Sequence, residues 1–309
     1  MKTWIALLTM VISIAFAAAA EAASFAKADP ALQTIVNEIA TDALKEFAPK
    51  KLTSNQLAIT LVDLREATQP RVGSFRGDDP IYPASVVKLF YLAAAHGWME
   101  DGKLKDAPEL RRAMRDMIID SSNDATHYVL DAVTDTTSGP ELPDAEMKLW
   151  GEKRNVVNRY FTSHDYRGIN VNQKPWGDGP YGRDRDWLGQ NFTNRNSLTT
   201  AATARLLAQI ATRQCISAAR SDEMMTLLSR DRSKNVSAQE GQTHGYTAMG
   251  LPADAKLWSK AGWTSTARHD AAYVELADGR RFVLVTFTTG QAKEREIIAF
   301  VARQVVARL

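Results

Sequence analysis

The stretch from residue 83 to 98, PASVVKLFYLAAAHGW, is apolar on nearly every side. A helix with that pattern lies buried inside a domain rather than on its surface. Lys88 is its one charged residue. An ammonium in a dry interior is costly, so Lys88 either reaches a surface along its stem or lines a cleft. Upstream, Leu32, Ile35, Val36, Ile39, Ala43 and Phe47 recur at helical spacing, with Asp29 as N-cap and Pro30 at the first helical position. QLAITLVDL (56–64) predicts a strand, and a turn-rich hairpin follows through residue 80.

APELRRAMRDMIIDSSNDATHYVLDAV predicts two helices broken near Asp120 to Asn123, and LPDAEMKLWGEKRNVV predicts another. From Tyr160 to Ser197 no period survives, and glycines and prolines alternate with aromatics. A loop of that length in a compact domain is usually functional, and its aromatics argue against plain disorder. Helical pattern resumes at SLTTAATARLLAQI and is read as running on to Cys215. AKLWSKAGW, HDAAYVEL and RFVLVTFTT predict strands, with Asp278-Gly279 turning the last hairpin. KEREIIAFVARQVVARL predicts a closing helix. The order predicts a mixed α/β sandwich. An antiparallel sheet built from both chain ends is flanked by the N- and C-terminal helices, with an all-helical lobe inserted. The α/β lobe is expected over 24–84 and 251–309, the helical lobe over 85–250.

At 45% hydrophobic and 24% charged, the 309-residue chain has an ordinary globular composition. Its first residues stand apart. Lys2 precedes an apolar run from Trp4 to Phe16 and then AEAAS, the layout of a secretory signal peptide over 1–23. The run is too short for a comfortable membrane span. The expected location is therefore periplasmic or secreted, with no span in the mature chain. Removing Lys2 and Glu21 leaves the net charge of +2 unchanged, which gives no reason to propose a nucleic-acid partner. Cys215 is the only cysteine, so no internal disulfide forms, and it is read as a buried thiol. The five histidines make no ligand-spaced pair, and no glycine loop suits a phosphate. No metal or cofactor is expected.

Ser85 and Lys88 are three apart and share a helix face. Ser85 opens the helix, where backbone N–H groups lack partners and can face a developing oxyanion. A neutral Lys88 would take the hydroxyl proton. A serine cap with a snorkelling lysine is the bland alternative, and Ser24 to Lys27 matches the same S-x-x-K by accident. Ser121-Ser122-Asn123 falls at the predicted helix break. It reads as two cleft-facing polar groups or as a plain N-cap, and Ser233-Lys234-Asn235 also fits S-x-N. Lys260-Ala261-Gly262 lies in a predicted strand, where Gly262 would let a substrate backbone approach and Lys260 would supply a fixed cation.

In this order and setting the three elements resemble the penicillin-recognising serine enzymes, most closely the class A β-lactamases. GLPADAKLWSKAGW and NSLTTAATARLLAQI extend the resemblance over most of the mature chain. It implies Ser85 as acylated nucleophile, Lys88 as its base and Ser121 as proton relay to the leaving nitrogen. It implies Asn123 for a substrate amide, Lys260 for a substrate carboxylate, and the N–H groups of Ser85 and Trp263 as oxyanion hole. Arg268 is a further candidate for the carboxylate, or a structural arginine. The implied partner is a small β-lactam or D-Ala-peptide-like substrate, and the implied state a monomer.

Four departures accompany the resemblance. Ser122 stands where class A enzymes usually have Asp, and Ala261 replaces a hydroxyl residue. The segment from Lys88 to Ser121 is short. No Glu-x-x-Leu-Asn occurs in the 160–197 loop, which offers Asp165, Asp178, Asp184, Asp186 or His164 as substitutes. The parts for acylation are thus present, while the group for fast release is not visible. Three functions stay open: a β-lactamase-like hydrolase, a D,D-peptidase or esterase, and a non-catalytic ligand- or protein-binding module.

Overall fold

Apolar alternation and turn residues place the chain's strands at its two ends, and the tertiary structure joins them. A computed structural model describes residues 25–232 and 241–309. The expected leader, Ser24 and the Ser233-Lys234-Asn235 match lie outside the described residues. Among these, seven strands form one sheet: β1 (Lys27–Ala28), β2 (Leu57–Asp63), β3 (Arg71–Phe75), β4 (Ser229–Arg230), β5 (Lys256–Trp263), β6 (Ala267–Glu275) and β7 (Arg281–Thr289). Their order is β1-β3-β2-β7-β6-β5-β4. Only β1 with β3 is parallel. The mixed α/β class expected from the pattern is the class found.

The α-helices that position the site are α1 (Pro30–Glu46), α2 (Lys88–Glu100), α3 (Pro108–Ile119), α4 (Asn123–Thr134), α5 (Asp144–Arg154), α6 (Val156–Ser163), α7 (Gly182–Leu188), α8 (Thr200–Ala211), α9 (Ala218–Leu228) and α10 (Glu296–Arg308). Asp29 caps α1 by accepting from the Leu32 N–H at 2.9 Å, as its spacing predicts. The apolar faces of α1 and α10 cover one side of the sheet with Val36, Ile39, Ile297 and Val301 against Leu57, Ile59, Leu61 and Leu284. The other side meets α8 through Ala204 and Leu207 against Val283, Val285 and Phe287, and the turn over Ala84–Val87 packs on β5 and β6. Strand alternation sorts these sets, since residues two apart face one side.

Three expectations change in detail. The helix predicted over 142–157 is two, α5 and α6, meeting at Asn155. Cys215 is buried but lies in the turn after α8, not in a helix. The 160–197 stretch holds α7 and a short 3-10 turn. It lacks a period because side-chain clips and one backbone bridge, Asn170 with Ser197, hold it rather than a regular ladder. The Asn196 amide accepts from the Asn172 and Gln173 N–H groups at 3.1 and 2.9 Å and donates to the Gln173 carbonyl at 2.8 Å. Phe90, Phe161 and Tyr166 pack edge-on between α2, α6 and the loop. No helix among the described residues is long and apolar enough to cross a membrane.

Candidate active site

Ser85 lies in a 3-10 turn, Ala84–Val87, that runs directly into α2, so Lys88 is the first α-helical residue. Ala84 is held at φ +47°, in the left-handed region that non-glycine residues seldom occupy. That turn aims the Ser85 backbone at β5. A Cβ on Gly262 would stand 2.6 Å from the Pro83 carbonyl oxygen and 3.1 Å from the Ser85 nitrogen. Glycine is therefore required for the strand to pass so close. His269, opposite Gly262 in the register, fixes the turn from beneath. Its Nδ1 accepts from the Thr288 N–H at 3.1 Å, so its Nε2 carries the proton donated to the Tyr82 carbonyl at 2.9 Å. Burial pushes its pKa down to about 4 and keeps it neutral.

Lys88 is wholly buried. Its Nζ donates to the Ser121 carbonyl at 2.5 Å and Asn123 Oδ1 at 2.8 Å, with Ser121 Oγ at 3.3 Å. Burial alone draws its pKa from 10.5 down to about 7. A neutral amine is thus well populated at neutral pH, as a general base requires. Lys260 is equally buried and donates to Ser121 Oγ at 2.9 Å, Gln242 Oε1 at 2.9 Å and the Ala261 carbonyl at 2.8 Å. Burial lowers its pKa well below 10.5, helped by the neighbouring Lys88 and Arg230 cations and opposed by Asp270.

The Ser121 hydroxyl therefore stands between two amines. Ser121 holds φ +54° at the break between α3 and α4, a strained conformation of the kind that gathers at functional sites. The N-cap of α4 is Ser122, whose Oγ accepts from the Ala125 N–H at 3.1 Å. The residue that departs from the family pattern thus takes the capping role and leaves Ser121 and Asn123 to face the lysines. The capping reading of this triplet thus holds for Ser122.

Gln242 was not foreseen. Its amide donates to the Ile118 and Ile119 carbonyls at the end of α3 and accepts from Lys260, so it ties β5 to the helix break. Arg230, on the edge strand β4, donates to the Ser259 carbonyl at 2.7 Å and to the Ile118 carbonyl at 3.2 Å. Neither residue belongs to a spaced motif, and only the fold brings them in.

Trp263 follows Gly262 at the end of β5 and is 57% exposed. Arg268 is opposite Trp263 in the register, on the face away from Lys260 and Gly262. Its Nε donates to the Ala292 carbonyl at 2.9 Å and its guanidinium lies over Tyr246. The structure does not bring it into the hydrogen-bonded group around Ser121.

The five loop candidates are also placed elsewhere. Asp184 is fully buried and paired with Arg154 at 3.1 Å. Asp165 pairs with Arg167 at the surface, and Asp178 and Asp186 are exposed. His164 holds the Tyr160 carbonyl through Nδ1 at 2.8 Å. None is hydrogen-bonded to Ser85, Lys88, Ser121 or Asn123.

The sequence profile of the β-lactamase enzyme family matches residues 97–309. The chain belongs to that family. The match starts beyond Ser85 and Lys88, so those two positions rest on geometry and motif. A comparison with curated proteins returns no match. Among solved structures, a β-lactamase from Chitinophaga pinensis superposes with a TM-score of 0.63 at 19% identity, covering 90% of this chain and 98% of that one. A PBP-A variant, determined as an acyl-enzyme complex with penicillin-G, gives 0.62 at 16% identity, covering 88% and 96%. A variant of the last common ancestor of Gram-negative class A β-lactamases gives 0.59 at 19% identity, covering 89% and 97%. At such identities these three establish the shared fold alone. The family membership supports a serine hydrolase or acyl-transferase.

Proposed function

We propose that this family member is an exported serine acyl-transfer hydrolase that is acylated by β-lactam-type amides and releases the acyl group slowly. The observation that carries the reading is the Ser121 hydroxyl, 2.9 Å from Lys260 Nζ and 3.3 Å from Lys88 Nζ, beside a strand pressed against the Ser85 N–H. Neutral Lys88 takes the Ser85 proton as Oγ attacks the substrate carbonyl. The N–H groups of Ser85 and Trp263 hold the oxyanion. On collapse the C–N bond breaks and the leaving nitrogen takes a proton through Ser121. Lys260 binds the substrate carboxylate, and Asn123 a side-chain amide. The exported location rests on the leader pattern of residues 1–23.

Among the described residues no carboxylate is hydrogen-bonded to the serine and lysine group, which favours a long-lived acyl-enzyme. That favours a second reading, a D,D-peptidase or esterase using the same serine on cell-wall or small acyl substrates. A fluorescent penicillin followed by a denaturing gel tests the first step. Label is expected on the wild type and absent from Ser85→Ala. No label under any condition would overturn the acylation reading and favour a binding module. Turnover of a chromogenic cephalosporin then separates a β-lactamase from a peptidase.

A further inference from the structure

Lys88, Lys260 and Arg230 stand in a row. Lys88 and Lys260 share the Ser121 hydroxyl, at 3.3 and 2.9 Å. Lys260 and Arg230 share Gln242 Oε1, at 2.9 Å from Nζ and 3.3 Å from Nη2. All three side chains are buried, and among the described residues no carboxylate is hydrogen-bonded to any of them. Asp270 on β6 and Asp120 at the end of α3 act on the row from beyond hydrogen-bond range, and His269, opposite Gly262, is neutral.

A buried guanidinium without a carboxylate is costly. Arg230 donates through Nη2, while its Nε and Nη1 have no acceptor among the described residues. Tying Ser259 to Ile118 thus accounts for one nitrogen and leaves the charge without a role. An arginine keeps that charge at neutral pH.

The two amines have matching neighbours. Lys88 meets the Ser121 carbonyl and Asn123 Oδ1, Lys260 meets Gln242 Oε1 and the Ala261 carbonyl, and both meet the Ser121 hydroxyl. The carbonyl oxygens only accept, whereas the hydroxyl also donates. A neutral amine fills such a set with two N–H donors and a lone pair facing the hydroxyl proton. One hydroxyl has one proton, so the set is complete with one amine neutral and the other charged. Arg230 shares an acceptor with Lys260 and none with Lys88, so its charge falls on Lys260. Burial lowers the Lys260 pKa most, followed by Lys88 and then Arg230, which outweighs the opposing Asp270.

We propose that Arg230 is a positioning residue whose fixed charge holds Lys260 neutral in the free site, so that an anion entering beside Lys260 binds together with a proton. That proton comes from Lys88 or solvent and ends on Lys260 Nζ as an ammonium, and no other bond changes. The choice of a carboxylate as the anion rests on the acyl-transfer reading, whereas the charge of the free site does not.

The test reads the charge of Lys260 directly. In the full protein with isotope-labelled lysine, the Lys260 Cε resonance is assigned by its loss in Lys260→Met, and its position reports protonation. At about pH 8, where an ordinary lysine is charged, the free wild type should show a neutral Lys260. Arg230→Gln should raise its titration midpoint by about one to two pH units, the effect of a unit charge at about 6 Å under an effective dielectric of about 20. Arg230→Met gives the same reading should the glutamine variant not fold. Acetylglycine carries a carboxylate and no lactam, and adding it at the same pH should move the wild-type resonance to the charged position. A charged Lys260 in the free wild type, a midpoint unmoved in the Arg230 variants, or a Lys260 that acetylglycine leaves neutral would each overturn the assignment. Intact-protein mass after benzylpenicillin treatment reads Ser85 separately. An adduct alongside any of those three results would sink the role of Arg230 alone. The expected Lys260 behaviour without an adduct would sink the acylation reading alone.

Discussion

Replacing Lys88 with methionine separates two consequences of burying an amine. The Lys88 side chain is fully buried, and burial takes its pKa from 10.5 to about 7. In the unfolded chain it keeps its proton up to roughly pH 10.4. Between about pH 7 and that value the unfolded chain binds more protons than the native one, so stability rises with pH across the window. The charge penalty is fully present below pH 7. At about 1.4 kcal/mol per pH unit it is on the order of 5 kcal/mol at full extent. By linkage, nearly all of it acts at about pH 6 and about 2 kcal/mol at about pH 9.

The methionine variant also loses the contacts to Ser121 and Asn123. Leaving those acceptors unpaired costs about 1–3 kcal/mol, a term that does not vary over this pH range. Relative to the wild type, then, Lys88→Met should gain about 2–3 kcal/mol on passing from about pH 9 to about pH 6, whatever its absolute stability. Urea unfolding followed by circular dichroism at the two pH values measures this directly. A gain below about 1 kcal/mol would refute a desolvated amine at this position. The same variant should acylate about 10²–10⁴-fold more slowly. In the wild type the acylation rate should climb with pH and level off above about 7.

Other residues of the site give further tests. Ser121→Gly relieves the left-handed backbone yet removes the hydroxyl between the amines. Acylation should fall about 10²-fold or more while thermal stability holds; a marked loss of stability instead would make the hydroxyl structural. Gly262→Val puts a Cβ 2.6 Å from the Pro83 carbonyl and must push β5 off the Ser85 N–H. Acylation should drop about 10²–10³-fold, as when an oxyanion donor is lost, and an unchanged rate measured with a fluorescent penicillin would remove the strand from the reaction. Gln242→Leu strands the Ile119 carbonyl, leaves the Ile118 carbonyl to Arg230 alone and removes one Lys260 contact. It should cost about 2–4 kcal/mol in urea unfolding, and near-neutrality would show that the amide does not tie strand to helix break.

Local pattern carried the elements whose residues face one surface at a regular interval. The period of 3.6 marked α1, α8 and α10, and alternation marked β5 to β7, because each buries one side against a neighbour. The break between α3 and α4 was readable from turn-forming serines, and the greasy run around Lys88 marked an amine that had either to reach a surface or to line a cleft. What pattern missed was structure held by single long-range contacts. The 160–197 loop is clipped by Asn196 and pinned at Tyr91 and His127, and none of these leaves a repeat in the chain.

Convergence belonged to the fold. Lys88 is 33 residues from Ser121, and Lys260 is 139 residues from it, yet one hydroxyl meets both amines. Spacing along a helix tells which side chains share a face, but it cannot bring separate elements together. Strand register put Gly262 toward Ser85 and Arg268 toward the opposite side, and three-dimensional packing drew Gln242 and Arg230 in beside Lys260. Residue chemistry is a property of the chain, whereas burial, which lowers a lysine's pKa toward neutrality, exists only once distant segments exclude water together.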